Sequence, residues 1–390
     1  MKEKNTDKTK NLLERGVEET IIKKHLEERL ASGKKLRVKF GIDPTMSDLH
    51  LGHAVPLLKL RQFQDAGHQA VLLVGDFTAM IGDPSGRTAT RKPLTKTEIK
   101  SNMADYIKQA GKILDIKKVE VRYNSEWYSK KGIDFLVEIT SRFTYAQLIE
   151  REEFKQRIAK GADITLLELI YPLLQGYDSV ELKADVEIGG TDQKFNLLMG
   201  RKVQQKFGQP EQDILTVPLL VGTDGAKKMS KSYDNYIGLA ENPFEMFGKV
   251  MSIPDKIMKK YFELLTNVVT EEISGLALVD QKLKLAGEIV SFYHGNKEAE
   301  KAKEEFVRVF KEGEAPTDIE IKKITPSSIG AKELLVKLNL AKSLSEAQRL
   351  IEQGAISLDG QIIKDWRQEI TIEKPTILKS GKHRFIKLVP

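Results

Sequence analysis

The chain has 390 residues, 40% hydrophobic and 31% charged, the composition of an ordinary globular protein but too long for one core, so two or three domains are expected. It has no cysteine, which excludes disulfides, thiolate zinc sites and cysteine nucleophiles. The net charge is +7, and 11 Lys/Arg against 7 Asp/Glu in residues 327–390 place more than half of it near the C-terminus, where a phosphate-bearing partner is expected. The first twenty residues lack the apolar centre of a signal peptide and no apolar run approaches membrane-spanning length, so the expected setting is the cytoplasm, with no membrane partner.

Residues 1–33 alternate charge with Leu or Ile at helical spacing and end at Ser32-Gly33, predicting an N-terminal helical segment. Leu36–Phe40 reads as a strand, Gly41–Leu49 as a loop around Pro44, Thr45 and Asp48, and Ala54–Ala66 as a helix. His50-Leu51-Gly52-His53 therefore falls at a helix N-terminus, where free backbone N–H groups and the helix dipole favour anions and two imidazoles can add donors. Gly52 leaves room for close approach to the backbone. Ala70–Gly75 is a second apolar strand, and strand, helix, strand implies a right-handed parallel crossover, the start of a nucleotide-binding α/β sheet. Asp76–Arg87 then turns at Gly82, Pro84 and Gly86, placing Asp83 and Arg87 at the strand's carboxyl end.

Thr95 and Glu98 suit a capping box for a helix reaching about Leu114, and Val119–Tyr123 reads as a strand. Residues 124–162 read as a helical insertion, a candidate dimer surface. Ile164–Gln175 is an apolar helix pattern, continuing to carry Tyr171, Gln175 and Asp178 on one face, a stripe that either binds a ligand or is satisfied within the core. Val186–Gln193 repeats strand, glycine turn and helix, with Gly189-Gly190 allowing close backbone approach beside Asp192 and Gln193. Ile214–Val221 is the last strand of this region, interrupted at Pro218. Val221–Lys231 reads as a flexible basic loop with Gly222, Gly225, Lys227, Lys228 and Lys231, able to close over phosphates. Helix-capping histidines and a solvated lysine loop are the plainer alternatives.

Residues 236–320 are helical in pattern, with Pro243 and Pro254 near helix starts, and Glu312–Pro326 is the linker candidate. Beyond it come helices at Ala331–Asn339 and Ser345–Gln353, the second with a Ser345/Gln348 capping box and a stop at Gly354. A hairpin follows around Asp359-Gly360, then strand from Thr376 to Leu388 around Ser380-Gly381.

HLGH and KMSKS, about 175 residues apart and in this order after a strand, loop and helix start, resemble the paired signatures of class I aminoacyl-tRNA synthetases. GIDPTMSDLHLGH, IGDPSGR, YPLLQGYDS, EIGGTDQ and KKMSKS narrow the resemblance to the tyrosyl-tRNA synthetase family across essentially the whole chain. Residues 328–390, through LSEAQRLIEQGAISLDG, resemble the S-four-like RNA-binding domain. The resemblance implies an α/β fold, with a Rossmann-like parallel-sheet catalytic domain at 34–235, the insertion at about 124–162, a helical tRNA-anticodon-side domain at 236–320 and a small α+β RNA-binding domain at 328–390.

It implies a homodimer that joins L-tyrosine to tRNA(Tyr) using ATP, with Mg2+ arriving on the nucleotide and no protein metal site. Asp43, Thr45, His50, Gly52, His53, Lys228 and Lys231 match positions that meet ATP. Gly190 and Asp192 match positions beside the ribose, and Gln193 one near the reacting carboxylate. Asp83, Tyr171 and Gln175 match positions that hold the substrate ammonium, and Asp178 the one that accepts from the phenol. Arg349, Lys379, Lys382, Arg384 and Lys387 are the candidate RNA contacts, with a solvated surface as the alternative.

Two departures stand out. Lys39 occupies the place where many members carry a second hydroxyl-reading tyrosine, and Arg87 stands where some have lysine. A tryptophan-specific relative or a non-catalytic RNA-binding paralogue are the rival readings.

Overall fold

A computed structural model describes residues 12–85, 94–310, 320–325, 328–381 and 384–390. The N-terminal segment is not one helix. Glu19–Ile21 forms β1, which pairs antiparallel with residues 214–216, and α1 (Lys23–Ala31) follows after Ile22, whose φ of 59° turns the chain sharply. A three-residue edge strand is too short to show an alternating pattern, and a helical rhythm on both sides concealed it.

The next predicted elements appear within two or three residues of their expected ends. They are the strand β2 (Arg37–Ile42), the helix α2 (Leu51–Asp65) and the strand β3 (Gln69–Val74). The helix expected from Thr95 to Leu114 has its Thr95/Glu98 capping box but breaks into α3 (Lys96–Met103) and α4 (Tyr106–Ala110). After β4 (Glu120–Tyr123) the insertion is helical, as the pattern indicated: α5 (Ser125–Tyr128), α6 (Ile133–Ser141), α7 (Tyr145–Leu148) and α8 (Glu152–Ala159). α9 (Leu166–Leu182) starts at a Thr165/Glu168 capping box, and Arg157 from the end of the insertion donates to Glu168 Oε1 at 2.7 Å. Next come β5 (Val186–Gly190), α10 (Lys194–Lys206) and β6 (Asp213–Val217), which ends just before Pro218 because proline has no N–H to extend the ladder.

The sheet order is β1-β6-β5-β2-β3-β4, parallel throughout except for β1. The chain starts in the middle at β2, builds outward through β3 and β4, and returns to the other side of β2 with β5. The carboxyl ends of β2 and β5 therefore flank a topological switch point, where ligands of such sheets bind. Val71 and Leu73 of β3, Trp127 and Tyr128 of the insertion and Leu173, Leu174 and Tyr177 of α9 share one buried cluster, which fixes α9 beside that crevice. α11 (Pro243–Ser252) and α12 (Asp255–Leu265) begin at the two prolines as expected, followed by α13 (Leu278–His294) and α14 (Asn296–Phe310).

By internal contacts the chain divides into Met1–Ala299 and Glu300–Pro390. The division is coarser than the four sequence segments, with α11 to α13 inside the first unit. Much of the expected linker, including Pro326, lies outside the described residues, but Glu320–Lys323 is β7, paired in parallel with residues 386–389. β8 (Ser328–Gly330), α15 (Ala331–Lys337) and α16 (Leu344–Glu352) follow. The cap of α16 is Ser343, which accepts from Glu346 N, not Ser345; two serines two residues apart offer the same signal. Gly354 ends α16 at φ +68°, with its own N–H on Ile351 O and that of Ala355 on Leu350 O, a Schellman turn. β9 (Ile356–Leu358) and β10 (Gln361–Ile362) form the predicted hairpin, with positive φ at both Asp359 and Gly360. β11 (Glu369–Thr371) pairs with β8, and β12 (Thr376–Ser380) and β13 (Arg384–Val389) complete the sheet β10-β9-β12-β13-β7. Leu378, Ile386 and Leu388 pack against Leu334, Leu335 and Ile351.

Under the switch point lies a buried ion pair. Lys39, in the middle of β2, is fully buried with Nζ 2.8 Å from Glu187 Oε1 on β5, and it also donates to Ser179 Oγ at 2.9 Å and Gln175 O at 3.2 Å. Glu187 Oε2 accepts in turn from Gln212 and Ser179. Removing one partner of such a pair strands the other charge in the interior. Lys39→Met should destabilise the protein by about 3 kcal/mol, and Lys39→Met with Glu187→Gln should recover most of that loss. Urea unfolding midpoints of the two variants measure both effects.

Candidate functional site

At the switch point a cavity of about 340 Å³ opens. Its walls include Asp43, Thr45, His50, Gly52, His53, Asp83, Tyr171, Gln175, Asp178, Gly190, Asp192, Gln193 and Lys228, so the structure brings together nearly every candidate from the first unit. Lys231 stands next to it, with its ammonium 2.5 Å from Asp48 Oδ2. Arg87 lies outside the described residues.

His50 is the N-cap of α2 and His53 is its third residue, and the two rings cap the helix reciprocally. His50 Nδ1 accepts from Gly52 N at 3.2 Å, and His53 Nδ1 accepts from His50 N at 3.2 Å. Accepting at Nδ1 leaves the proton of each neutral ring on Nε2. Both rings are held neutral: burial pushes His50 down to about 2 and His53 to about 4, with Lys231 adding repulsion to each and His53 to His50. They offer N–H donors rather than positive charge. A Cβ on Gly52 would stand 2.9 Å from His50 Cε1, so glycine here makes room for the capping ring, while Met229 Cβ at 3.5 Å would be in ordinary contact.

That loop is pinned rather than free. Gly222 N donates to Lys227 O and Met229 N to Leu220 O, and Met229 is buried. Lys228 Nζ sits 2.7 Å from Asp192 Oδ2, so the loop's two inner lysines are tied to the glycine turn after β5 and, through Asp48, to the loop after β2. Past the loop, residues 237–239 run antiparallel to 49–51, with Leu51 N on Ile237 O and Leu239 N on Leu49 O, both at 2.9 Å.

On the opposite wall, Tyr171 Oη donates to Asp43 Oδ2 at 2.9 Å and Thr78 Oγ1 to Asp43 Oδ1 at 2.8 Å. Asn124 Nδ2 continues the chain to Thr78 Oγ1 and to Asp178 Oδ2, at 2.9 and 3.3 Å. Trp127 Nε1 donates to Asp178 Oδ1 at 3.0 Å, so this buried carboxylate has fixed donors before any ligand is considered. Burial pushes Asp178 up to about 7 against the pull of Lys39. Asp43 is also raised to about 7, first by burial and further by Asp83 and Asp178, with Thr78 opposing. Lys39 lines the floor, but its three donors are directed to Glu187, Ser179 and the Gln175 carbonyl, so it is no substitute reader of a hydroxyl. Asp83 accepts from Ser85 N and Oγ at 2.9 and 2.6 Å, from Gln193 Nε2 at 2.6 Å and from Asn196 Nδ2 at 3.3 Å.

Sequence patterns missed Gly75, Thr78, Asn124, Trp127 and Asp48. Of these only Gly75 left a signal, a glycine ending a strand: a Cβ there would fall 2.0 Å from Asp43 Oδ1. Among the described residues no group of three or more His, Asp or Glu is placed to hold a metal ion.

The RNA candidates of the second unit are only partly gathered. Lys379 and Lys387 share the sheet face turned away from Leu378, Ile386 and Leu388, whereas Arg349 is exposed on α16, which packs on the inner face. Lys382 lies outside the described residues, as does the side chain of Arg384.

Residues 31–311 match a family model described as tRNA synthetases class I (W and Y), and residues 333–372 match the S4 domain. Among curated relatives, a tyrosine–tRNA ligase of Dehalococcoides mccartyi is 48% identical over 97% of this chain and 98% of that protein. One from Thermotoga maritima is 45% identical over 97% and 96%. In fold the chain is similar to the crystal structure of an Archaeoglobus fulgidus tyrosyl-tRNA synthetase complexed with L-tyrosine, with a TM-score of 0.62 and 23% identity over 76% of this chain and 99% of that one. A truncated Aspergillus nidulans mitochondrial tyrosyl-tRNA synthetase gives 0.64, with 23% identity over 80% and 100%.

The capping role of His50 is separable from any chemical one. His50→Ala should cost about 1 kcal/mol of stability, whereas His50→Asn, a good cap, should cost only a few tenths. Thermal melts of the two variants measure the difference, and equal losses would show that the ring does not cap α2.

Proposed function

The chain belongs to the class I tRNA synthetases as a tyrosine–tRNA ligase, and from that premise we propose how its residues divide the work. The enzyme activates L-tyrosine with ATP to tyrosyl-adenylate and pyrophosphate, then passes the tyrosine to the 3′-terminal ribose of tRNA(Tyr). The observation that carries the assignment of residues is that both signature segments and the polar stripe of α9 line one cavity.

Tyrosine enters with its phenol toward Asp178 and its ammonium toward Asp83, near Tyr171 and Gln175, while Gln193 steadies the carboxylate. ATP lies across the start of α2, with its ribose by Gly190 and Asp192 and its phosphates by Thr45, the Nε2–H groups of His50 and His53, and the loop lysines; Asp43 lies between the two substrates. Magnesium comes with the nucleotide, carried by its phosphates. The tyrosine carboxylate is already ionised, so no protein base is needed, and catalysis lies in positioning and in neutralising charge on the pentacovalent α-phosphate. Lys228 and Lys231 supply that charge by exchanging Asp192 and Asp48 for phosphate oxygens.

The subdivision of the chain follows the same reading: 1–33 an N-terminal segment, 34–235 catalytic, 236–320 on the anticodon side of the tRNA and 328–390 binding RNA through Arg349, Lys379, Lys382, Arg384 and Lys387. A homodimer formed through the insertion is supported by the outward face of α6, where Ile133 and Val137 are 69% and 61% exposed one helical turn apart, and by Tyr145 at 62%. The cytoplasm is the proposed setting; no described helix is long and apolar enough to cross a membrane.

Amino-acid-dependent exchange of pyrophosphate into ATP tests the assignment directly: tyrosine should support it and tryptophan should not. Lys231→Ala should lower the single-turnover rate of adenylate formation by two decades or more, since losing a transition-state contact of this kind costs about 3 kcal/mol, while tyrosine affinity changes little. An unchanged rate would remove Lys231 from the reaction.

Asp178 accepts from the phenol most strongly when ionised. Its value in the fold is raised, so the accepting form is populated above about 7 and is lost as pH falls through that point. Tyrosine affinity and the preference for tyrosine over phenylalanine should therefore both decline between pH 8 and 6. In Asp178→Asn the preference should be small and flat across that range; if it keeps the wild-type pH profile, another group reads the phenol.

A further inference from the structure

Arg151 is among the largest fully buried side chains of the protein, and nothing in the proposed chemistry uses it. It immediately precedes α8 in the helical insertion. Its guanidinium lies 5.7 and 5.6 Å from the ring centroids of Phe154 and Phe195. Nη1 donates to Asn196 Oδ1 at 2.8 Å, Nη2 donates to Ser85 Oγ, and Nε faces Glu153 Oε2 at 3.2 Å. Ser85 and Asn196 are both bonded to Asp83, the carboxylate assigned to the substrate ammonium.

A guanidinium can only donate, and every other member of this network can both donate and accept or, as a carboxylate, only accept. The direction of the bonds is therefore set from two ends, by donor-only Arg151 behind and acceptor-only Asp83 in front. Asn196 must turn its carbonyl to Arg151, so its Nδ2 faces Asp83 Oδ1, Ser85 Oγ and Gln193 Oε1, the last at 2.9 Å. Ser85 Oγ accepts from Arg151, so its single proton goes to Asp83. Gln193, with its carbonyl taken by Asn196, directs its amide N–H₂ to Asp83 Oδ2. Three neutral donor side chains and the Ser85 backbone N–H thus converge on Asp83, all pointing one way. Without a donor-only group behind them, Ser85 and both amides can reverse, and a reversed amide presents an oxygen to the carboxylate.

We propose that Arg151 is a positioning residue for amino-acid binding, setting the polarity of the Ser85, Asn196 and Gln193 bonds that orient Asp83 toward the tyrosine ammonium. The insertion thereby supplies part of the amine site without touching the substrate. The inference rests on the assignment of Asp83 to the ammonium.

The test compares two ligands, L-tyrosine and 3-(4-hydroxyphenyl)propionate, which keeps the phenol and carboxylate and lacks the amine. Dissociation constants are measured by fluorescence titration on the full-length enzyme. Arg151→Gln, which can both donate and accept, should weaken tyrosine about tenfold and the amine-free ligand by less than about twofold, with the KM for ATP nearly unchanged. Arg151→Lys, still donor-only but unable to span Ser85 and Asn196 with a planar fork, should recover part of the loss. Ser85→Ala, which leaves the guanidinium and Asn196 in place, should give a smaller loss with the same ligand pattern and serves if Arg151→Gln does not fold. Equal weakening of both ligands, or weakening of neither, overturns the proposal. Asp83→Asn is the control: it should abolish the amine's advantage, and if it does not, the assignment of Asp83 itself is wrong and the role of Arg151 falls with it.

Discussion

Two backbone hydrogen bonds, from Leu51 N to Ile237 O and from Leu239 N to Leu49 O, lay the segment after the lysine loop alongside the start of α2. Met229 is buried behind them, and Lys231 and Lys228 reach Asp48 and Asp192. The helix start and the loop each have a local character that any sequence could carry. Held at this spacing they become two sides of one cavity, joined by those two bonds. The loop is therefore better described as a latched element than as a tether, since its backbone is paired and its lysines have acidic partners to exchange.

The other half of the cavity is built by a different principle. Its carboxylates, Asp43, Asp83 and Asp178, lie near one another, burial disfavours charge on Asp43 and Asp178, and each of the three is surrounded by directed donors. Trp127 and Asn124 serve Asp178, Tyr171 and Thr78 serve Asp43, and Ser85, Gln193 and Asn196 serve Asp83. The acceptor directions of this wall are thus preset by the fold. Because its donors are already in place, Asp178 does not depend on a ligand to satisfy its carboxylate.

What could be read from the sequence was whatever lies close along the chain. The parallel strands announced themselves as apolar runs, the cap at Thr95 and the turn at Asp359-Gly360 carry their signals within four residues, and HLGH declares a helix start. β1 escaped because three residues on a sheet edge have no period, and the cap of α16 was misplaced because Ser343 and Ser345 look alike locally. The network around Asp83 was invisible for a deeper reason: Arg151, Ser85 and Asn196 are joined only by the fold, and an arginine in a run of charged residues reads as surface. Lys39 was noticed as a departure, yet its partner Glu187 lies 148 positions away and only the pairing of β2 with β5 brings them together.

The floor formed by Lys39 and Glu187 also constrains how such a site can change over generations. A lineage that exchanges a neutral residue at position 39 for lysine, or the reverse, passes through an ancestor with one charge stranded in the sheet unless position 187 changes with it. Glu187 is in turn engaged by Gln212 and Ser179, so a change at position 39 is felt at all four positions. Position 39 should accordingly mark deep branches of the family and seldom vary within them.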